Sequence, residues 1–159
     1  VIDLAPHHLK IALLQPQIAP NTGNIARLCV ATGTELHLVR PMGFVLSDRE
    51  LKRSAMDYWP RLKLTVHDDD AAFFAQAPVE QSWFFTSKSA RGFWDAQFRE
   101  SDWLIFGSET YGLSPALLAH AGERAIRIPQ APGERCLNLS TAAGIALLEA
   151  LRQVALSAP

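Results

Sequence analysis

The sequence predicts one α/β domain, residues 1–159, built on a mostly parallel sheet flanked by helices. Three observations predict it. Short β-type runs alternate with helical stretches along the whole chain, the order that produces parallel sheets. Two of the runs, Ser82–Thr86 and Asp102–Gly107, have little polar interruption, as strands buried on both faces do. The chain has 159 residues, 48% of them apolar and only 19% charged, against ~25% charged in an ordinary domain. That length suits about one domain with a proper core, and the apolar content excludes a disordered chain.

The elements follow in order. Residues 9–14 read as a strand, and Pro16 and Pro20 interrupt the chain before a helix from about Thr22 or Gly23 to Thr32. Glu35–Val39 is the next strand, closed by Pro41 and Gly43. Ser47-Asp48-Arg49-Glu50 is a capping-box signature, so a helix is expected from there to about Met56. Leu62–Val66 reads as a strand. Asp68-Asp69-Asp70 opens a helix to about Gln76, and the acids suit its N-terminus better than a metal site. The strands 82–86 and 102–107 follow. Ser114–His120 is a short helix with Pro115 in its first turn. Arg124–Ile128 is the last strand, stopped by Pro129, and Ser140 to about Leu156 is a long helix.

Apolar residues cover nearly the whole circumference of that final helix, where a surface helix would show a polar face. Either it is a central core helix, or one side meets its own sheet and the other a second subunit. Ala142, Ala143, Gly144 and Ala146 would permit close approach, and a chain this short has few layers to cover the helix twice. A homodimer through this helix is the favoured expectation.

Charge and cysteine content bound the function classes. Fifteen Lys and Arg against 16 Asp and Glu give a net charge of -1, which excludes a generic polyanion binder but not a local basic patch. No apolar run nears ~18 residues, so no membrane span is expected. Val1–Pro6 has no basic stretch and no long apolar run and does not read as a signal peptide. Cys29 and Cys136 are far apart, without metal or disulfide spacing. Both are expected to be small buried residues of a cytoplasmic protein. Phosphate-loop, dinucleotide-fingerprint and nucleophile-elbow motifs are missing, and none of the five histidines has metal-site spacing.

Three polar segments carry the candidate chemistry. Pro20-Asn21-Thr22-Gly23-Asn24-Ile25-Ala26-Arg27 lies between a strand and a helix, where open α/β sheets place ligands. Asn21 or Thr22 can cap the helix, and Arg27 beside a helix start makes an anion site. Phe106-Gly107-Ser108-Glu109-Thr110-Tyr111-Gly112-Leu113-Ser114 puts a glycine at the end of a buried strand, where another group can approach the backbone closely. The third runs from Ile128-Pro129 to Arg135-Cys136-Leu137-Asn138-Leu139-Ser140. There Asn138 or Ser140 can serve as N-cap, with Arg135 as a second cation at a helix start.

In order and spacing these segments resemble the three motifs of the SPOUT RNA 2′-O-ribose methyltransferases. Leu28-Cys29, Pro41-Met42-Gly43-Phe44, Asp57-Tyr58 and Thr86-Ser87-Lys88 are similar to a narrower group, the single-domain tRNA (cytidine/uridine-34) 2′-O-methyltransferases of the TrmL type. The resemblance spans about residues 9–153. It implies a SPOUT fold with a C-terminal trefoil knot and an obligate homodimer. It implies S-adenosylmethionine, with no metal, held largely by backbone groups at Phe85, Gly107, Ile128, Cys136 and Leu137. It implies methylation of the wobble-nucleotide ribose in the tRNA anticodon stem-loop, in tRNA-Leu isoacceptors. It places Arg27 at the hydroxyl, with Asn21, Glu109, Arg135, Asn138 and Ser140 orienting Arg27, the ribose and the loops. A guanidinium stays protonated, so Arg27 is expected to hold a phosphate and stabilise the developing alkoxide. This chain departs from the pattern at Leu148 for a tyrosine, Cys136 for a serine, Thr141 for an asparagine and Ser108 for a proline. The alternatives are an RNA- or nucleotide-binding dimer without methylation, and 2′-O-methylation at another tRNA or rRNA site. A basic face drawn from Arg27, Lys52, Arg53, Lys88, Arg91 and Arg135 would reconcile RNA binding with the near-neutral charge.

Overall fold

The structure, a computed structural model, describes residues 3–157 except 48, 50–52 and 54–55. The helix expected over 47–56, and Lys52 with it, lies outside the described residues apart from scattered positions.

Six strands form one sheet: β1 (Lys10–Leu14), β2 (Glu35–Val39), β3 (Leu64–His67), β4 (Ser82–Phe85), β5 (Trp103–Phe106) and β6 (Ala125–Ile126). Every ladder is parallel, in the order β3-β2-β1-β5-β4-β6. The chain steps outward from β1 to β3, crosses to β4, and then inserts β5 beside β1. β1 and β5 therefore flank the point where the winding reverses, and a crevice opens at their carboxyl ends.

Helices cover both faces. On one face Ile11, Leu13, Leu36, Leu38, Leu104 and Phe106 pack against α1 (Ala19–Thr32) and the final helix α4 (Leu139–Ser157). On the other, Ala12, Leu14, Phe84 and Ile105 pack against α2 (Asp70–Phe74) and α3 (Pro115–Ala121). Parallel strands buried on both faces explain why β4 and β5 read as unbroken apolar runs. The predicted acidic cap is present at α2, and α3 has a serine cap. The Asp69 side chain accepts from the Ala72 N–H at 2.7 Å, and the Ser114 hydroxyl accepts from the Leu117 N–H at 3.2 Å.

Several boundaries differ from expectation. α1 starts at Ala19, not at Thr22 or Gly23, with Pro20 in its first turn and Ile18 at the cap position. Asn21 and Thr22 thus lie inside the helix and do not cap it. β3 starts at Leu64 because a 3-10 turn over Met56–Arg61 comes first, closed by the Leu62 N–H donating to the Trp59 carbonyl at 3.1 Å. β6 is only two residues long. Arg124 ends a 3-10 turn, and Arg127 bridges to Gly92 rather than continuing beside β4. Ile128 is thereby released from the sheet.

α4 is built into the core on one side only, so the alternative of a central core helix does not hold. Ala143, Ala146, Leu147, Ala150, Leu151 and Val154 are buried, while Ile145 is 38% and Leu148 68% exposed. Its 19 residues are also long and apolar enough, by length and composition, to cross a membrane, contrary to the count of contiguous apolar residues. Its alanine–leucine face is built into the core against α1 and β5, which accounts for that composition. The cysteines divide as well. Cys29 is buried, and burial pushes its thiol up, but Cys136 is exposed. It stands in the loop before α4, outside both cores.

His37 on β2 and His67 on β3 form a buried pair, Nδ1 to Nε2 at 2.9 Å. Trp103 lies edge-on to His37, and Phe73 edge-on to His67. Burial lowers His67, and lowers His37 to about 4, opposed by the nearby Glu35 carboxylate. The unfolded chain, titrating near 6.5, then binds protons before the native state does. Stability contributed by His37 is complete above about pH 6.5 and is lost as pH falls towards 4. Stability is therefore expected to be lower at pH 5 than at pH 7.5. Urea unfolding at pH 7.5 and pH 5 checks it, and equal midpoints would refute it.

Candidate active site

A cleft of about 550 Å³ opens at the carboxyl ends of β4, β5 and β6, next to the β1–β5 switch point, within the range of small-ligand sites, ~300–1,000 Å³. Three loops wall it: 85–88 after β4, 106–113 after β5, and 127–139 before α4.

The loop after β5 is rigid. The Gly112 N–H donates to the Ser108 carbonyl at 2.9 Å, and the Tyr111 N–H to the Ser108 hydroxyl at 3.1 Å. Gly112 takes the left-handed conformation with φ 64°, which glycine adopts without steric cost. The loop doubles back so tightly that a Cβ on Gly107 would collide with Gly112 and the Leu113 nitrogen. The group that approaches Gly107 so closely is the chain's own backbone.

Glu109 extends from this loop across the switch point to the start of α1. Its carboxylate accepts from the Gln17 N–H at 2.8 Å, the Ile18 N–H at 3.2 Å and the Asn21 amide at 3.2 Å. A carboxylate there also opposes the positive end of the helix dipole. The Asn21 carbonyl oxygen in turn accepts from the Asn138 amide at 3.0 Å. Asn138 caps α4: its Oδ1 accepts from the Ser140 N–H at 2.9 Å and the Ser140 hydroxyl at 2.6 Å. Glu109, Asn21, Asn138 and Ser140 thus form one hydrogen-bonded chain joining all three motifs. Ionic and multiply satisfied links of this kind fix geometry more firmly than isolated bonds.

All five residues expected to hold a cofactor, Phe85, Gly107, Ile128, Cys136 and Leu137, line the cleft, as do Asn21, Glu109 and Asn138. Ser140 adjoins it through Asn138. Arg27 and Arg135 are not among the lining residues. Arg27 is exposed on α1 with its guanidinium 5.2 Å from the centre of the Tyr58 ring. Arg135 is exposed, and its carbonyl accepts from the Gln130 amide at 2.5 Å. The expected basic face is only partly realised. Lys88 lines the cleft, but Arg91 is tied to the Glu123 carbonyl at 2.6 Å and lies over the Trp83 ring. Arg127 and Tyr111 also line the cleft and were not singled out from the sequence. Tyr58 was quoted only as part of a motif, because its neighbour Arg27 is distant in sequence.

Residues 8–148 match the SpoU rRNA methylase family. The chain belongs to that family. A tRNA (cytidine(34)-2′-O)-methyltransferase of Burkholderia pseudomallei strain 1106a is 44% identical over 91% of this chain and 94% of its own length. Its Escherichia coli K12 counterpart is 40% identical over 92% and 94%. A solved structure described as "Structural insights into the 2-OH methylation of C/U34 on tRNA" superposes with a TM-score of 0.89. It is 43% identical and covers 94% of this chain and 97% of its own. Within this SpoU-family chain all three motif segments contribute to the cleft, the first through Asn21 alone, and the loop 85–88 completes it.

Proposed function

We propose that this SpoU-family chain transfers a methyl group from S-adenosylmethionine to the ribose 2′-hydroxyl of nucleotide 34, cytidine or modified uridine, in tRNA. The observation that carries the reading is the convergence of Phe85, Gly107, Ile128, Cys136 and Leu137 on one cleft, beside the Glu109–Asn21–Asn138 chain. The similarity to tRNA (cytidine(34)-2′-O)-methyltransferases along nearly the full length of both chains supports the choice of substrate. The tRNA-Leu isoacceptors remain the proposed targets.

The cleft fits S-adenosylmethionine in size and kind. Three loops line it, and apolar Phe85, Phe106, Ile128 and Leu137 stand beside the polar Asn21 and Asn138. When bound, the cofactor supplies an already activated sulfonium methyl group. The protein's task is then to place the ribose oxygen in line with the methyl–sulfur bond that breaks and to ease loss of the hydroxyl proton to water. Orientation alone supplies up to ~7–11 kcal/mol in the best intramolecular systems. Glu109, Asn21, Asn138 and Ser140 hold the loops in register. Arg27, permanently cationic, holds the adjoining phosphate and stabilises the developing alkoxide, and Arg135 is a second cation on the same substrate.

The finer assignments belong to the same proposal. Residues 1–159 are read as one methyltransferase domain acting in the cytoplasm, where tRNA is found. The trefoil knot is supported by the path of the chain: β6 lies at the sheet edge, yet α4 returns to pack on α1 and β5. The homodimer is supported by the uncovered side of α4, where Ile145, Leu148 and Leu156 face outward. The test is methyl transfer from labelled S-adenosylmethionine to bulk RNA, with the modified nucleoside mapped. Label at the wobble ribose of tRNA is the expected result. No transfer to any RNA with cofactor binding intact would favour an RNA-binding dimer, and label elsewhere would overturn the assignment to position 34.

A further inference from the structure

Two pairs of guanidinium groups on the described surface share an aromatic ring outside the cleft: Arg91 and Arg124 over Trp83 are each tied to a backbone carbonyl, while the pair on Tyr58 has no such partner among the described residues. The 3-10 turn Met56–Arg61 packs beside α1, anchored by Trp59 and Leu62 against the core and stiffened by Pro60. Tyr58 projects from it towards α1. Two guanidinium groups sit against its ring: Arg27 at 5.2 Å and Arg61 at 5.2 Å from the ring centre. Both distances lie within the ~6 Å reach of a cation–π contact. Arg27 and Arg61 are exposed, and neither is paired with a carboxylate among the described residues.

Two like charges on mobile side chains would separate in water. Holding both against one anchored ring costs repulsion, and an anion between or beside them would relieve it. A planar guanidinium fork matches a phosphate oxygen pair better than an ammonium does. We infer that Tyr58 is a positioning residue that fixes Arg27 and Arg61 as a two-guanidinium clamp for the phosphodiester backbone of the RNA substrate. Phosphate contacts of this kind set the register and orientation of a nucleic acid without reading its sequence. In a chain of net charge -1, a small set of fixed cations would carry a large share of the RNA affinity. The inference rests on the proposed action on tRNA, and its test is arranged so that the two can fail separately.

The test uses the full chain with Arg61→Gln, Tyr58→Leu and Tyr58→Phe. It reads S-adenosylmethionine binding, tRNA binding as a function of salt without cofactor, and kcat and KM for tRNA. Arg61→Gln is expected to raise KM for tRNA about 5- to 10-fold with kcat within about twofold. It should also flatten the plot of log affinity against log salt by about 0.7–0.9, the loss of one phosphate contact. Tyr58→Leu should raise KM similarly and lower kcat about tenfold, because Arg27 is released. Tyr58→Phe keeps the ring face and should behave as wild type. Cofactor affinity should stay unchanged throughout. An unchanged salt slope and KM in Arg61→Gln would overturn the clamp, as would a Tyr58→Phe variant as impaired as Tyr58→Leu. Wild-type protein that binds tRNA with the steeper slope but transfers no methyl group would overturn the functional reading and leave the clamp standing.

Discussion

Arg27→Ala should lower kcat for methyl transfer at least about a hundredfold while leaving S-adenosylmethionine affinity within about twofold. The two halves of the expectation come from different facts. Removing one preorganised donor to a developing oxyanion costs on the order of 10²–10³ in rate, and a guanidinium, always protonated, can only serve as such a donor. Arg27 is not among the residues lining the cleft, and its guanidinium rests on the Tyr58 ring. Its loss therefore removes no wall of the cofactor site. Arg27→Lys retains charge but not the planar fork and should recover only part of the rate. Single-turnover methyl transfer with cofactor binding measured in parallel checks both halves. Full activity in Arg27→Ala would remove the residue from the mechanism, and a matching loss of cofactor affinity would show that it shapes the cleft instead.

Much of the sheet was legible because its signals are local. β2 runs over Glu35–Val39, as its apolar run indicates. The acidic cap at Asp69 is a side chain bonding to an N–H group three residues away. The start of α1 was not legible for the opposite reason. The backbone donors just before it are satisfied by Glu109, 92 residues from Gln17, and no local pattern encodes that partner. With the carboxylate in place, Ile18 can occupy the cap position and Asn21 is freed to bond to Asn138. The same effect separates the cysteines. Residue type predicts burial for both, but Cys136 lies in a loop that closes the cleft rather than in a layer of the core.

The site was legible as composition and only partly as geometry. Phe85, Gly107, Ile128, Cys136 and Leu137 come from three segments that share no sequence neighbourhood, and they meet because β4 lies between β5 and β6 in the sheet, which sets the three loops side by side at the carboxyl ends. Arg27 was expected near the helix start. Moving that start to Ala19 puts Arg27 about two turns along α1, beside the Met56–Arg61 turn. The shift that corrects the cap therefore also leaves Arg27 outside the lining of the cleft. The circumference of α4 was legible as a demand for cover that this chain does not itself meet. Apolar residues all round imply cover on all sides, but one side of this chain's helix, with Leu148, has none within the chain.

Gly107→Ala should weaken S-adenosylmethionine binding roughly 10- to 100-fold. The methyl group it adds falls on the carbonyl of Gly112 and the nitrogen of Leu113, both backbone, so no side chain can swing aside. The loop must open instead. Forcing a methyl group into a packed site costs about 1–3 kcal/mol, and ~1.4 kcal/mol is tenfold in affinity. The opening would also move Glu109, which lies between the two glycines and holds the start of α1 through three hydrogen bonds. Two other glycines separate crowding from a general intolerance of substitution. A Cβ on Gly92 meets nothing within 4 Å, so Gly92→Ala should bind as wild type. Gly112 also has free space but takes φ +64°, so Gly112→Ala should show only the strain of a left-handed residue, about 1–2 kcal/mol. Titration calorimetry with the cofactor, and thermal unfolding of each variant, gives the order expected: Gly92→Ala least affected, Gly112→Ala next and Gly107→Ala most. If Gly107→Ala bound as tightly as Gly92→Ala, the doubled-back loop could not be what shapes the cofactor cleft.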